Sequence, residues 1–220
     1  MAIVLKNSIY HITIDSQMIV GVMGCDYDKF LASLEGNNIF YLDKRVSVSN
    51  KKVSSLFGSN MDKAIEIIKD FNLDNTFLDK KINELSHSEL KILKYILLIL
   101  SNKKIIIIDE PFMDLDYQNK KRIILLIKSL IKGRKTVIVG SIDSNIIYSL
   151  CKKVLFIKEN DYYYDDINVF SNIKVLDKYN VMMPDIVRFI LLAKDKNIKL
   201  NYSYDIRDII KDVYRNVSKK

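Results

Sequence analysis

The run Ile105–Pro111, IIIIDEP, constrains this chain more than any other stretch. Consecutive β-branched apolar residues leave no polar face, which suits a central strand of a parallel sheet covered on both sides. Such a strand delivers two adjacent carboxylates, Asp109 and Glu110, at its carboxyl end. In an open α/β sheet that edge is where ligands bind. One carboxylate there can hold a Mg²⁺ ion bound to nucleotide phosphates, and the other can orient or deprotonate an attacking water. The same Asp-Glu-Pro can also simply end a strand and cap the helix that follows. The run by itself leaves both readings open.

The flanking patterns supply the rest of such a sheet. Ile19–Met23 (IVGVM), Thr136–Gly140 (TVIVG) and Val154–Lys158 (VLFIK) read as further buried strands, and Asn38–Val48 as one or two more. Between them lie helical patterns. Met61–Phe71 places Ile65, Ile68 and Phe71 on one face, Ser86–Leu100 opens on a good N-cap serine, Gln118–Ile131 closes at Gly133, and Ile146–Cys151 continues as helix. Strands alternating with helices predict a three-layer α/β domain with a mostly parallel sheet. After Asp161 the texture changes to polar and aromatic, and from Asn168 onward three helical segments follow, one opened by Pro184.

Composition excludes several classes. Apolar residues make up 49% of 220, enough for one substantial core and too many for a disordered chain. The net charge of +8 comes from lysines spread along the whole sequence, with no compact basic block interleaved with aromatics. That argues against nucleic acid as a partner and leaves an attraction to an anionic membrane face, or simply solvated helix surfaces. Cys25 and Cys151 have neither disulfide-framework nor zinc spacing, and as free thiols they suggest a reducing compartment. MAIVLKNSIYH lacks a signal-peptide layout, and the longest apolar stretches are too short to span a bilayer. The expectation is a soluble or peripheral protein of the cytoplasm.

Upstream of the acidic pair stands NELSHSELKILKYILLILSNKKIIIIDEPFMDLD, Asn83–Asp116. This stretch resembles the ABC ATPase family, whose pattern runs LSGGQ, a helix, a strand ending in DEP and a loop ending in LD. Leu85–Glu89 stands at the signature, and its distance to Asp109 matches the family without a gap. Phe112–Asp116 stands at the D-loop, and TVIVGSID leads to Ile142 at the switch-histidine position. LKNSIYHITIDSQMIVGVMG resembles the strand pair that enters the phosphate loop, so GVMGCDYDKF, Gly21–Phe30, is its counterpart. Ser47–Asn50 falls at the Q-loop. The tail Asn168–Leu200 is similar to the C-terminal extension of the ATPase subunits of energy-coupling factor (ECF) transporters.

The resemblance implies a P-loop NTPase-like ABC domain over residues 1–167, with a helical subdomain at about 51–100 and a helical C-terminal extension at 168–220. It implies ATP and Mg²⁺ as cofactors. Asp109 takes the place of the metal ligand and Glu110 of the catalytic carboxylate. Nucleotide contacts fall on Gly21, Gly24, Lys29, Phe30, Asn50, Ser86, His87, Ser88, Asp116 and Ile142. The implied partners are a second ABC ATPase subunit in a heterodimer, a transmembrane coupling protein and a substrate-binding membrane subunit, with the chain peripheral at the inner face of the cell membrane.

The chain departs from the family in its chemistry. Gly24 alone remains of the loop's inner glycines, and the loop reads one residue short before Lys29. Phe30 replaces the Ser/Thr that ligates Mg²⁺, and Tyr10 stands in for the adenine-stacking aromatic. His87 and Ser88 replace the signature glycines, Asn50 the Q-loop glutamine and Ile142 the switch histidine. Asp26 and Asp28 fall near a tri-anion, each repulsion costing about 4 kcal/mol at about 4 Å and an effective dielectric near ~20. These changes predict weak or no ATP hydrolysis. The competing readings are a working ATPase with an atypical loop and a soluble non-transport ABC protein. All of this requires that the serine-capped helix and the acidic pair meet at one edge of a parallel sheet.

Overall fold

A computed structural model describes residues 2–34, 36–43, 49–198, 200 and 206–217. The first half of the chain carries strands β1 (Ala2–Lys6), β2 (His11–Asp15) and β3 (Ile19–Met23), helix α1 (Tyr27–Ala32) and strand β4 (Ile39–Leu42). Helices α2 (Met61–Asp70), α3 (Thr76–Asp79) and α4 (His87–Leu100) follow, then strand β5 (Ile105–Asp109) and helix α5 (Tyr117–Lys132). Next come β6 (Thr136–Gly140), α6 (Ser144–Leu150), β7 (Lys153–Lys158), β8 (Asp161–Asp166), α7 (Ile173–Tyr179), α8 (Asp185–Asp195) and α9 (Ile206–Val217). The part of the expected Asn38–Val48 strand region beyond Asp43, and Ser47 and Val48 of the expected Q-loop, lie outside the described residues.

The chain forms two compact units, Met1–Leu34 with Val139–Lys220, and Glu35–Ile138. The fold is α/β with mostly parallel strand pairing, as the alternation of patterns predicts.

In the first unit, β3 and β7 pair in parallel, with Gly21 opposite Val154 and Met23 opposite Phe156. Every residue of β3 is buried, which is why its sequence carries no polar alternation. On its other edge β7 pairs antiparallel with β8. The DYYYDD run that changes the texture of the sequence is thus a strand. Its tyrosines fit a half-buried pleated surface and its aspartates keep an edge polar. The β1–β2 hairpin alternates, with Ile12 and Ile14 of β2 buried. Segment 168–179 closes over β7. The Phe170 ring stands edge-on to Phe156 at 5.6 Å and the Tyr179 ring lies 5.8 Å from it. Burying three large aromatics together contributes several kcal/mol beyond what α7, a seven-residue helix, could supply alone.

In the second unit, β4 and β5 pair in parallel from Ile39 opposite Ile105 to Leu42 opposite Ile108. Ile106, Ile107 and Ile108 are fully buried. The α4 helix is buried along Leu90–Leu93, Tyr95, Ile96 and Leu98, and α2 sets Ala64 and Ile68 into the core.

Candidate functional site

The loop after β3 turns at Gly24, whose φ of +111° no L side chain adopts readily. A Cβ there would lie 2.1 Å from the Ile157 carbonyl oxygen, so the backbone of β7 itself demands glycine. The chain then enters α1 at Tyr27. In the pattern glycine, four residues, glycine, lysine, Ser/Thr, a count from Gly21 falls on Asp26, Tyr27 and Asp28. The loop is therefore not short: Lys29 lies two positions beyond the lysine site, and Tyr27 occupies it. Tyr27 is buried, its ring filling the space beside Gly140, where a Cβ would come within 2.9 Å of it.

Lys29 does not project toward a ligand. Its Nζ lies 2.8 Å from Asp26 Oδ1. The other Asp26 oxygen, Oδ2, accepts the Glu159 N–H at 3.0 Å. The Lys29 hydrogen bond, followed by that backbone bond, holds the Asp26 carboxyl below its usual range, and the same pair holds Lys29 above its own. Phe30, expected at a Mg²⁺-ligand position, is turned into the core at 2% exposure, 5.4 Å from the Tyr10 ring and edge-on to it. Tyr10 is buried too and donates its hydroxyl hydrogen bond to the Glu159 carbonyl, so its ring presents no stacking face. Gly21 sits within β3 against Ile147. Ile142 is exposed just past β6, and Asp143 after it accepts the Asn145 N–H to cap α6.

In the second unit the serine-capped helix and the acidic strand end do meet. Ser86 Oγ accepts the Glu89 N–H at 3.2 Å and Glu89 Oε2 accepts the Ser86 N–H at 2.8 Å, a reciprocal cap for α4. Lys80 adds a 2.6 Å bond to Glu89 Oε1. Burial pushes the Glu89 carboxyl up, but Lys80 and the cap outweigh it and hold it low. His87 is exposed and Ser88 half-buried in the first turn.

One turn further along α4, Lys91 Nζ donates to the carbonyls of Asp109 at 3.2 Å and Glu110 at 2.8 Å. Tyr95, four residues on and hence on the same helix face, donates to the Pro111 carbonyl at 2.8 Å. Three consecutive carbonyls, the last of β5 and the two that follow it, are therefore held by two α4 side chains. Glu110 sits there at φ +48°, a left-handed conformation that costs a non-glycine residue about 1 kcal/mol or more. Lys91 is only 3% exposed, and desolvation, assisted by neighbouring Lys94, pulls its ammonium down to about 8 against the opposing charges of Asp109, Glu110 and Asp114. Asp109 is itself buried at the strand end. Sequence reasoning missed Lys91. The available signal was a lysine inside the apolar face Leu90–Tyr95.

Asp116 caps α5, accepting from the Asn119 backbone at 2.8 Å and its side-chain amide at 2.9 Å. Asn50 accepts from Asn83 Nδ2 at 2.8 Å, and the isolated bridge Lys52–Lys81 joins the same two segments ahead of the signature position. The expected residues thus fall into two groups. Gly21, Gly24, Lys29, Phe30 and Ile142 lie in the first unit, and Asn50, Ser86, His87, Ser88, Asp109, Glu110 and Asp116 in the second.

A family of this fold implies ATP with Mg²⁺. The loop does not fit a triphosphate: its lysine is bonded to its own aspartate, a buried tyrosine holds the lysine position, and Asp28, a carboxylate, stands at the Ser/Thr position. Among the described residues no group of three or more His, Cys, Asp or Glu side chains could hold a metal ion.

The fold is similar to that of solved ABC-type ATP-binding domains. It matches the dimeric ATP-binding cassette MJ0796 solved in a post-hydrolysis state with ADP and Pi, at TM-score 0.60 and 16% identity over 76% of this chain and 96% of that one. It also matches an inward-facing metal-chelate type ABC transporter, at TM-score 0.59 and 16% identity over 73% and 76% of the two chains. By sequence the chain is similar to ABC transporter ATP-binding proteins. It is 28% identical over 141 residues to the energy-coupling factor transporter ATP-binding protein EcfA2 of Mesomycoplasma hyopneumoniae, covering 63% of this chain and 46% of that protein. It is 32% identical over 101 residues to the zinc import ATP-binding protein ZnuC of Ehrlichia chaffeensis, covering 46% and 41%. The chain spans about half the length of the curated relatives it matches. No protein-family profile matches it.

Proposed function

We propose that this chain is an ATP-binding-cassette subunit of an ECF-type importer of a vitamin or metal ion, with weak or no ATP hydrolysis of its own. It works beside an intact ATPase subunit in a heterodimer, at the inner membrane face, with a transmembrane coupling protein and a separate substrate-binding membrane subunit. No described helix is long and apolar enough to cross a membrane.

The observation that carries the reading is the contrast between two connections made within the second unit and a loop lysine held by its own aspartate. Lys91 and Tyr95 join the signature-position helix to the carbonyls at the end of β5, and Asn50 is joined to Asn83. Those are mechanical links within the second unit. The lysine of the phosphate-loop counterpart is meanwhile paired with Asp26. A subunit built this way transmits a partner's closure more than it drives its own. Its sequence relatives, ATP-binding proteins of ECF and zinc import systems by name, support the transporter setting.

Mild detergent extraction tests the proposal. Co-purification with a polytopic membrane protein and a second ABC ATPase is the expected result. Recovery solely as a lone soluble monomer counts against it. The built geometry around Asp109–Glu110 favours one other reading, a working ATPase with an atypical loop. Measured Mg·ATP turnover that collapses in Glu110→Gln would establish it instead.

A further inference from the structure

We propose that Asp26 serves as the phosphate loop's own anion, a negative specificity determinant that engages Lys29 and latches the loop to the β7–β8 turn, excluding nucleotide phosphates. The inference rests on Gly21–Phe30 being the counterpart of a phosphate loop.

Asp26 stands at the loop's second glycine position. One oxygen takes the Lys29 ammonium at 2.8 Å and the other takes the N–H of Glu159, 133 residues away, at 3.0 Å. Glu159 is itself in the left-handed region at φ +51°, the corner where β7 turns into β8. Its carbonyl receives the Tyr10 hydroxyl, and the Tyr10 ring abuts Phe30 on α1. The contacts form a closed circuit: Lys29 to Asp26, Asp26 to Glu159, Glu159 to Tyr10, Tyr10 to Phe30, and back to the helix that carries Lys29.

Three of the segment's backbone donors are also engaged within the segment. The Tyr27 N–H bonds the Gly24 carbonyl at 3.4 Å, the Lys29 N–H bonds Asp28 Oδ1 at 2.8 Å, and the Phe30 N–H bonds the Asp26 carbonyl at 3.0 Å. A phosphate-binding loop works by pointing such donors, and a lysine, at an anion it does not contain. This loop contains its anion. The Asp26 side chain is 23% exposed, so its charge is only partly screened. The Lys29 side chain is 80% exposed, so the block is electrostatic and not steric: an incoming phosphate meets the Asp26 charge beside the ammonium it would bind.

The test uses the full chain and titrates Mg·ATP calorimetrically against wild type, Asp26→Asn, Asp26→Gly, Lys29→Met and the double variant Asp26→Asn/Lys29→Met. Asp26→Asn keeps the side-chain shape and removes the charge. The expected result is an affinity about tenfold or more above wild type in both Asp26 variants, no gain in Lys29→Met, and loss of the gain in the double variant. Equal affinities for wild type and both Asp26 variants would overturn the proposal, and so would tight wild-type binding that Asp26→Asn does not improve.

Hydrogen exchange at the Glu159 amide provides an independent reading. Protection in wild type that drops in Asp26→Gly, which removes the acceptor, is expected, whereas unchanged protection in that variant means the latch does not exist. Membership in a membrane complex is judged separately by co-purification of the wild type. A failed latch and a failed transporter assignment therefore give different results.

Discussion

Lys91 makes a quantitative prediction about pH. Its ammonium is desolvated in the folded chain, where it titrates near 8, against 10.5 for an ordinary lysine. Because the folded state disfavours the charged form, the penalty is complete below pH ~8 and is relieved as the pH rises toward the unfolded value. The unfolded chain binds more protons in that window, so stability increases with pH. The whole shift is worth about 3 kcal/mol, of which about 2 kcal/mol is recovered between pH ~7 and ~9.5.

Other groups titrate nearby. Burial pushes the Cys151 thiol and the Tyr95 hydroxyl upward, which lowers stability once the pH passes their ordinary values of 9.0 and 10.0, the first within this range, and Lys94 shifts in the same direction as Lys91. The measurement is therefore a difference: urea denaturation of wild type and Lys91→Met at pH ~7 and ~9.5. Wild type should gain about 2 kcal/mol more than the variant over that range. A difference that stays flat would refute the placement of Lys91 as a buried cation beneath the acidic pair.

Gly24→Ala should cost about 3 kcal/mol or more, because the new methyl meets the Ile157 backbone at an unfavourable φ; a thermal shift below a few degrees would contradict that geometry. Glu110→Gly should stabilise the fold by about 1 kcal/mol by relieving the left-handed backbone, read as a higher denaturation midpoint; a destabilised variant would mean the carboxylate itself supports the fold. Ser86→Ala should remove about 1 kcal/mol by uncapping α4, and a loss of helix-end protection in hydrogen exchange at Glu89 should accompany it.

What the sequence determined by itself was the set of elements whose chemistry is local. The all-isoleucine strand, the fully apolar β3, the Ser86–Glu89 cap and the Gly133 end of α5 follow from side-chain shape and backbone donors a few residues away. Both are written into adjacent positions. The edge strand β8 was not legible, because DYYYDD satisfies no simple period and takes its conformation from β7. The functional loop was half legible. Its glycine and its excess of acid were plain, but the role of each acid was not.

Only the tertiary structure decided that Tyr27 is buried, since the space it fills exists because residue 140 is glycine. Only the tertiary structure decided that Asp26 accepts from Glu159, or that a lysine in the apolar face of α4 grips the carbonyls at the end of β5. The physical reason is the same in each case. A charge or hydroxyl chooses its partner by distance and by loss of water, and both are set by chain segments far apart in sequence that meet only when the core has formed.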